Sequence, residues 1–401
     1  KEWPCGDDVR AAREAVIRSA PPRYRLFLAL LALCGVGPHP FARAQSLFDT
    51  ELRLAPQYLL YQVHEPADET IAELAIPIFV TVPAGSRLSF DIGTAYARAR
   101  VTSGALRSEI SGLTDTQIRG VYTLGGDFVV LTAGVNLPTG ESSVNADQFL
   151  AAGRIGNDFL AFPISSMGTG LALTGGVAIA RPFGEWSVGA GLSARRSRAY
   201  DPFEMPGESL RYQPGDEVRV RLGVDRPRAD GRLALGVTYA AFGRDDVSGS
   251  AYNTGDRVIA QGVLTGLAGG HDWTVAAYNV FHAPGEYASG ERAGRENVAS
   301  LFMSVGLHTV GTIVEPSLEV RHWRQQVFDT PGQGSAEIER SQSSRLATVA
   351  LRTRAYVRGL VLFPSAGYTI FGKLATEDIA GRPVSADLTG FHVGLVMRAT
   401  P

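Results

Sequence analysis

The 401-residue sequence predicts an all-β fold, a transmembrane antiparallel up-and-down β-barrel. The expected size is about 16 strands, within a range of roughly 12–16. Three observations predict it. Apolar and polar residues alternate over long stretches, which puts each set on one face of a strand. Most stretches have ten or more residues, where a tilted membrane strand needs about 9–11 and strands of globular proteins average about 5–6. The connections alternate between tight and long, as short periplasmic turns and longer external loops do in outer-membrane barrels.

Composition agrees. Apolar residues make up 45% and charged residues 19% of the chain, with 46 glycines. Such a chain is too apolar and too weakly charged to be disordered. Two cysteines, Cys5 and Cys34, exclude a disulfide scaffold or a zinc-finger array. A formal charge of −2 offers no basic excess to nucleic acid. Among the 38 cationic residues only Lys1 and Lys373 are lysine, so arginine carries nearly all the positive charge.

Residues 1–44 read as an upstream extension plus a cleavable signal peptide. Arg23 and Arg25 precede the run Leu26–Leu33, long enough for a signal core and too short to span a bilayer. Ala42-Arg43-Ala44 offers small residues two apart, which places cleavage after Ala44. Residues 1–44 hold seven basic and four acidic residues of the chain's 38 and 40, so residues 45–401 carry 31 and 36, a net charge of −5 and no cysteine. A cysteine-free exported chain avoids mispairing in an oxidising compartment. Residues 45–401 are expected to form one barrel domain in the outer membrane of a Gram-negative cell.

The expected strands fall near 52–64, 70–82, 87–101, 114–124, 127–137, 168–180, 185–198, 216–226, 231–243, 256–267, 272–283, 297–309, 312–326, 344–357, 360–373 and 384–398. In the eighth, Val218, Val220, Leu222 and Val224 alternate with Arg219, Arg221, Gly223 and Asp225. In the fourteenth, Val349, Leu351 and Thr353 alternate with Arg352, Arg354 and Arg358. Every backbone group inside a bilayer must be paired within the protein, so strands can cross only as a closed barrel. The apolar set then faces lipid, with Phe90, Phe128, Trp186, Trp273, Phe371 and Phe391 near the strand ends as rim aromatics. Gly176, Gly189, Gly191, Gly223, Gly236, Gly262, Gly306 and Gly394 fall on the expected inward face and leave the lumen less filled.

The lumen-lining charge candidates are Arg219, Arg221, Arg232, Glu315, Glu319, Arg321, Arg352, Arg354 and Arg358, with Asp91. Rings or ladders of such charges bias which solutes pass, and the same Arg–Glu sets could instead tie the wall together. The longest expected loop, 138–167, contains a short-helix pattern over 145–153 followed by apolar Phe159, Leu160, Phe162 and Ile164. It is expected to fold inwards and narrow a pore, to form an external lid, or to hold further strand-like pieces.

The stretch Leu113–Leu124, a tight turn, and Val129–Gly140 (VVLTAGVNLPTG) resemble a family of outer-membrane channels, the MetA-pathway phenol-degradation type, related in architecture to hydrocarbon transporters. The resemblance covers roughly residues 113–141. It implies passive passage of small, often hydrophobic or aromatic, solutes. The expected function is therefore a channel, with outer-membrane lipid, lipopolysaccharide and small solutes as partners and no cofactor. A non-conducting structural or receptor barrel is the alternative. A lipid hydrolase with a Ser–His pair on the lipid face is a further one, but no serine stands beside outward-facing His322 at the expected registers. No metal-ligand, P-loop or nucleophile-elbow motif occurs.

Overall fold

The computed structural model describes residues 50–399, apart from 66–67, 126–127, 206, 290, 310–311, 330–337, 358 and 378–382. The expected leader, residues 1–44, and Arg358 lie outside the described residues.

The wall is a closed, antiparallel barrel. Its eighteen paired segments make sixteen strands, because two strands are interrupted. Strand β1 comprises Glu51–Leu54 and Gln57–Val63, and both pieces pair with the same two neighbours. The break falls at Pro56, which has no N–H to donate. Strands β2 (Glu69–Pro83) and β3 (Leu88–Ser103) follow. Strand β4 comprises Leu106–Leu113 and Thr116–Leu124, both pairing with β3. Next come β5 (Val129–Leu137), β6 (Ala172–Phe183), β7 (Trp186–Ser197), β8 (Glu217–Arg228), β9 (Gly231–Phe242), β10 (Arg257–Ala268) and β11 (His271–His282). The wall ends with β12 (Glu296–Thr309), β13 (Thr312–Asp329), β14 (Ile338–Val357), β15 (Leu360–Glu377) and β16 (Pro383–Ala399). Strand β16 pairs with β1 and closes the ring, so among the described residues every strand of the wall has a partner on both sides.

Several expected boundaries move: β6 begins at Ala172 rather than 168, β14 begins at Ile338 rather than 344, and β4 gains a whole piece. Residues 102–113 are not a long loop: Gly104 (φ +57°) and Ala105 make a tight hairpin, and Leu106–Leu113 continues the wall. This piece escapes the alternation rule because its outward residues are Arg107, Glu109 and Ser111. Its inward residues include Ser108 and Gly112, so the usual contrast between apolar and polar faces is absent.

The registers fix which face is which. Ile71 on β2, Ala99 on β3, Ile110 on β4, Val298 on β12, Leu346 on β14 and Leu388 on β16 form one buried cluster with Ile155, Phe159 and Leu160 of the β5–β6 connection. Strands as far apart as β4 and β12 can share neighbours only across the interior, so this set faces inwards. The opposite set is apolar and exposed: Val218, Val220 and Leu222 on β8, and Leu301, Met303, Val305 and Leu307 on β12. Contiguous apolar surface of this kind is unfavourable in water by about 25 cal/mol per Å² and is stable against hydrocarbon. Phe90, Trp186, Trp273, Phe371 and Phe391 all share the outward face. Gly262 also does: a Cβ there would lie 3.1 Å from outward-facing Leu235, so the expected inward position is corrected. The other seven glycines named above face inwards. Among the described residues, no helix is long and apolar enough to cross a membrane.

Candidate functional site

The connection between β5 and β6, residues 138–171, folds into the barrel. Asn145 starts the turn into it, because its Oδ1 accepts from the Asp147 and Gln148 N–H groups at 3.0 and 3.1 Å. That turn delays the one helix of the segment, α1 (Phe149–Ile155), which starts four residues later than the sequence pattern suggests. Helix α1 buries Ala151 and Ile155. Phe159, Leu160 and Phe162 follow on the same inner surface, and the Phe162 ring meets Tyr61 of β1 edge-on at 5.7 Å. Burial of this apolar run is what draws the segment inwards rather than leaving it as an external lid.

Polar contacts then fix its position. Arg154 is paired with Glu69 of β2 at 2.8 Å. The Ile164 N–H donates to Oε1 of Glu73, a wholly buried side chain, at 3.0 Å. Arg321 of β13 donates to the Phe159 carbonyl at 2.5 Å. Ser108 of β4 accepts from the Ala151 N–H at 3.0 Å and donates to the Asp147 carbonyl at 2.5 Å.

Both ends of the segment meet at Asp115. The registers either side of Thr114-Asp115 differ by one residue, so Asp115 belongs to a bulge in β4. Its N–H donates to the Met167 carbonyl at 3.1 Å. Its carboxylate accepts from the Gly140 N–H at 3.1 Å, the Thr169 N–H at 2.7 Å and Asn136 Nδ2 at 2.9 Å. Asn136 also donates to the Gly170 carbonyl, and Thr139 Oγ1 donates to the Thr114 carbonyl at 3.0 Å. Gly140 sits so tightly that a Cβ would lie 2.0 Å from the Met167 oxygen. The sequence resemblance had run through Thr114, Asp115, Asn136, Thr139 and Gly140, and these residues form the clamp. Their joint action was not legible beforehand, because the contacts span up to 54 residues of chain.

The charge candidates separate into three groups. Arg321 donates to the inward segment and is itself held by Glu319, so it acts in positioning that segment. Arg352 grips Glu315 through both carboxylate oxygens at 2.6 and 2.8 Å, Arg232 is paired with Asp225, and Arg219 with Glu217. Arg354 lies over the Phe363 ring at 5.2 Å. Arg221 has no hydrogen-bond or ion-pair partner among the described residues. All of these share the inward face by register.

The adjoining wall, β4–β8, is lined differently. A cavity of about 300 Å³ is bordered by Arg119, Asn136, Thr174, Arg195, Glu217 and Arg219. Arg119 and Arg195 were missed because their strands carry few other charges to mark an inward row. On the outer face, His322 has Ala299 and Arg345 as register partners, while inward His308 engages Asp272 at 2.7 Å. Among the described residues, no cluster of three or more His, Cys, Asp or Glu side chains could hold a metal.

No family model matches the chain, and no curated protein matches it. Solved structures of similar fold include an outer-membrane channel from Pseudomonas putida F1, with 12% identity over 91% of this chain and 99% of that one, at a TM-score of 0.37. An anion-selective porin from Comamonas acidovorans shares 12% identity over 87% of this chain and 99% of its own, at a TM-score of 0.40. The outer membrane protein opdK from Pseudomonas aeruginosa shares 10% over 87% and 99%, at 0.38. At these scores the superpositions carry no argument about activity, and the barrel rests on its own registers.

Proposed function

We propose that the protein is an outer-membrane channel that passes small solutes passively, through a lumen narrowed by residues 138–171. The observation that carries this reading is the uneven filling of the barrel. Apolar packing holds the segment against β1–β4 and β12–β16, and the adjoining β4–β8 wall keeps a cavity lined by Arg119, Arg195, Arg219, the Arg219-paired Glu217 and neutral polar groups. A barrel of about 16 strands is wide enough for an aqueous path. Guanidinium groups along one wall favour anions over cations in transit, since their charge persists at every accessible pH. The small hydrophobic or aromatic passengers implied by the sequence resemblance belong to the same proposal.

Planar-bilayer recording tests it. The chain should raise conductance in discrete steps, with a reversal potential in a salt gradient that reports anion preference. Arg221→Glu, at an arginine that shares no ion pair among the described residues, should move that potential towards cations. Absence of steps in repeated insertions would leave a non-conducting barrel, and an unmoved potential would remove the arginine wall from the permeation path.

A further inference from the structure

We propose that the outer face of the β3–β4 hairpin is a binding site for the phosphate of a lipid headgroup in the external leaflet. Arg98 and Arg100 on β3 and Arg107 on β4 converge there on one carboxylate, Glu109. Arg98 Nε donates to Oε1 at 2.7 Å, and Arg100 Nε and Arg107 Nη2 donate to Oε2 at 2.9 and 3.2 Å. These side chains alternate with Ala97, Ala99 and Val101, which are buried inwards, so they point away from the lumen. Their side chains remain 47%, 41% and 61% exposed.

Charge and height both argue for lipid phosphate. Three guanidiniums against one carboxylate leave two positive charges. A phosphomonoester carries about −1.5 to −2 near neutral pH, which matches them. Each guanidinium has five N–H donors in a planar fork, and Glu109 engages only some of them. Glu109 keeps three like charges gathered that would otherwise repel, so the donors are assembled before the ligand arrives. Below the cluster, the outward residues of the same strands become mostly apolar: Tyr96 opposite Leu113, then Thr94, Ile92 and Phe90. The arginines therefore stand one step above the hydrocarbon boundary, where headgroups lie. The hairpin turn belongs to the end of the barrel that carries the long connections, the external end in this architecture.

The test uses the detergent-purified barrel and native mass spectrometry. The probes are a diphosphorylated glucosamine-based lipid, its dephosphorylated counterpart and inorganic phosphate. The phosphorylated lipid should be retained about tenfold better than the dephosphorylated one. Arg98→Gln, Arg100→Gln and Arg107→Gln together should abolish that difference. Conductance should be unchanged, because none of the three side chains faces the lumen. If the triple variant fails to assemble, Arg107→Gln alone should give a roughly threefold loss. Equal retention of the two lipids, or retention insensitive to these substitutions, would overturn the proposal. So would displacement of the lipid by millimolar inorganic phosphate, which would mark a site for free anions.

Discussion

At the scale of the residue, Asp115 ties both ends of the inward segment to the wall. A carboxylate that accepts three N–H bonds is a strong local tie, since bonds to a charged acceptor contribute about 1.5–3 kcal/mol each. Asp115→Ala removes all three and leaves the Gly140 and Thr169 N–H groups without their acceptor. Asp115→Asn keeps the shape but sets an amide donor among donors. Both should release the base of the inward segment and raise single-channel conductance severalfold, with the wall intact by circular dichroism. Unchanged conductance in both variants would show that the clamp does not set the bore. A second residue-scale prediction concerns Tyr200, Tyr212 and Tyr252 in the connections near Asp245. Tyr212 donates to Asp245 at 3.0 Å, and burial followed by the Asp245 charge raises its pKa above the usual tyrosine value. Burial, then Asp115 and Asp245, does the same for Tyr200, and burial with Asp245 for Tyr252. A raised pKa in the folded state favours the neutral phenol. The stability it contributes is fully present below the unfolded tyrosine value of about 10 and is lost as pH rises through the folded value. Near-ultraviolet titration should show these three ionising after the exposed tyrosines, and simultaneous ionisation would contradict the packing.

At the scale of the element, the inward segment is held twice, by its clamp and by its apolar face. Phe159, Leu160 and Met167 are almost wholly buried, and Glu73 is buried beneath Ile164 with Oε2 lacking a partner among the described residues. Excising residues 145–165 in favour of a short Gly-Ser link would expose Glu69 and Glu73 to the lumen and add negative charge to the path. The expected result is a larger conductance together with a weaker anion preference. Glu69→Gln and Glu73→Gln in the same background should restore the preference without restoring the narrow bore. A pore that stays narrow after excision would place the constriction elsewhere. The β3–β4 hairpin teaches a related lesson. Its strands run beyond the apolar band, so their outward residues answer to headgroups and water, and alternation no longer reveals them.

At the scale of the whole molecule, closure is the feature that everything else depends on. Sixteen strands with β16 paired to β1 leave no free edge among the described residues, and each strand presents one face to hydrocarbon and one to the interior. The arginine-rich composition acquires meaning here. Inward arginines paired with Glu217, Asp225 and Glu315 brace the wall, while Arg221 stands unpaired and Arg195 borders the open cavity. The reversal-potential measurement therefore belongs to Arg221, which has no ion-pair partner among the described residues, whereas Arg219 is tied to Glu217. Charge reversal at Arg352 would first set two carboxylates face to face at Glu315, which confounds selectivity with wall strain.

Local chemistry already determined the strand number, the tight-turn end and the faces of most strands, with Gly262 and Leu106–Leu113 the exceptions, since a period of two and the width of a bilayer are constraints that each segment obeys by itself. Residues such as Val220, Arg221 and Leu222 announce their faces without any partner. Tertiary structure alone decided that residues 138–171 turn inwards, that Asp115 gathers both ends of that segment, and which arginines are neutralised. Those outcomes depend on groups brought together around a closed ring, as Arg154 is with Glu69 across 85 residues, and no local pattern encodes such a meeting.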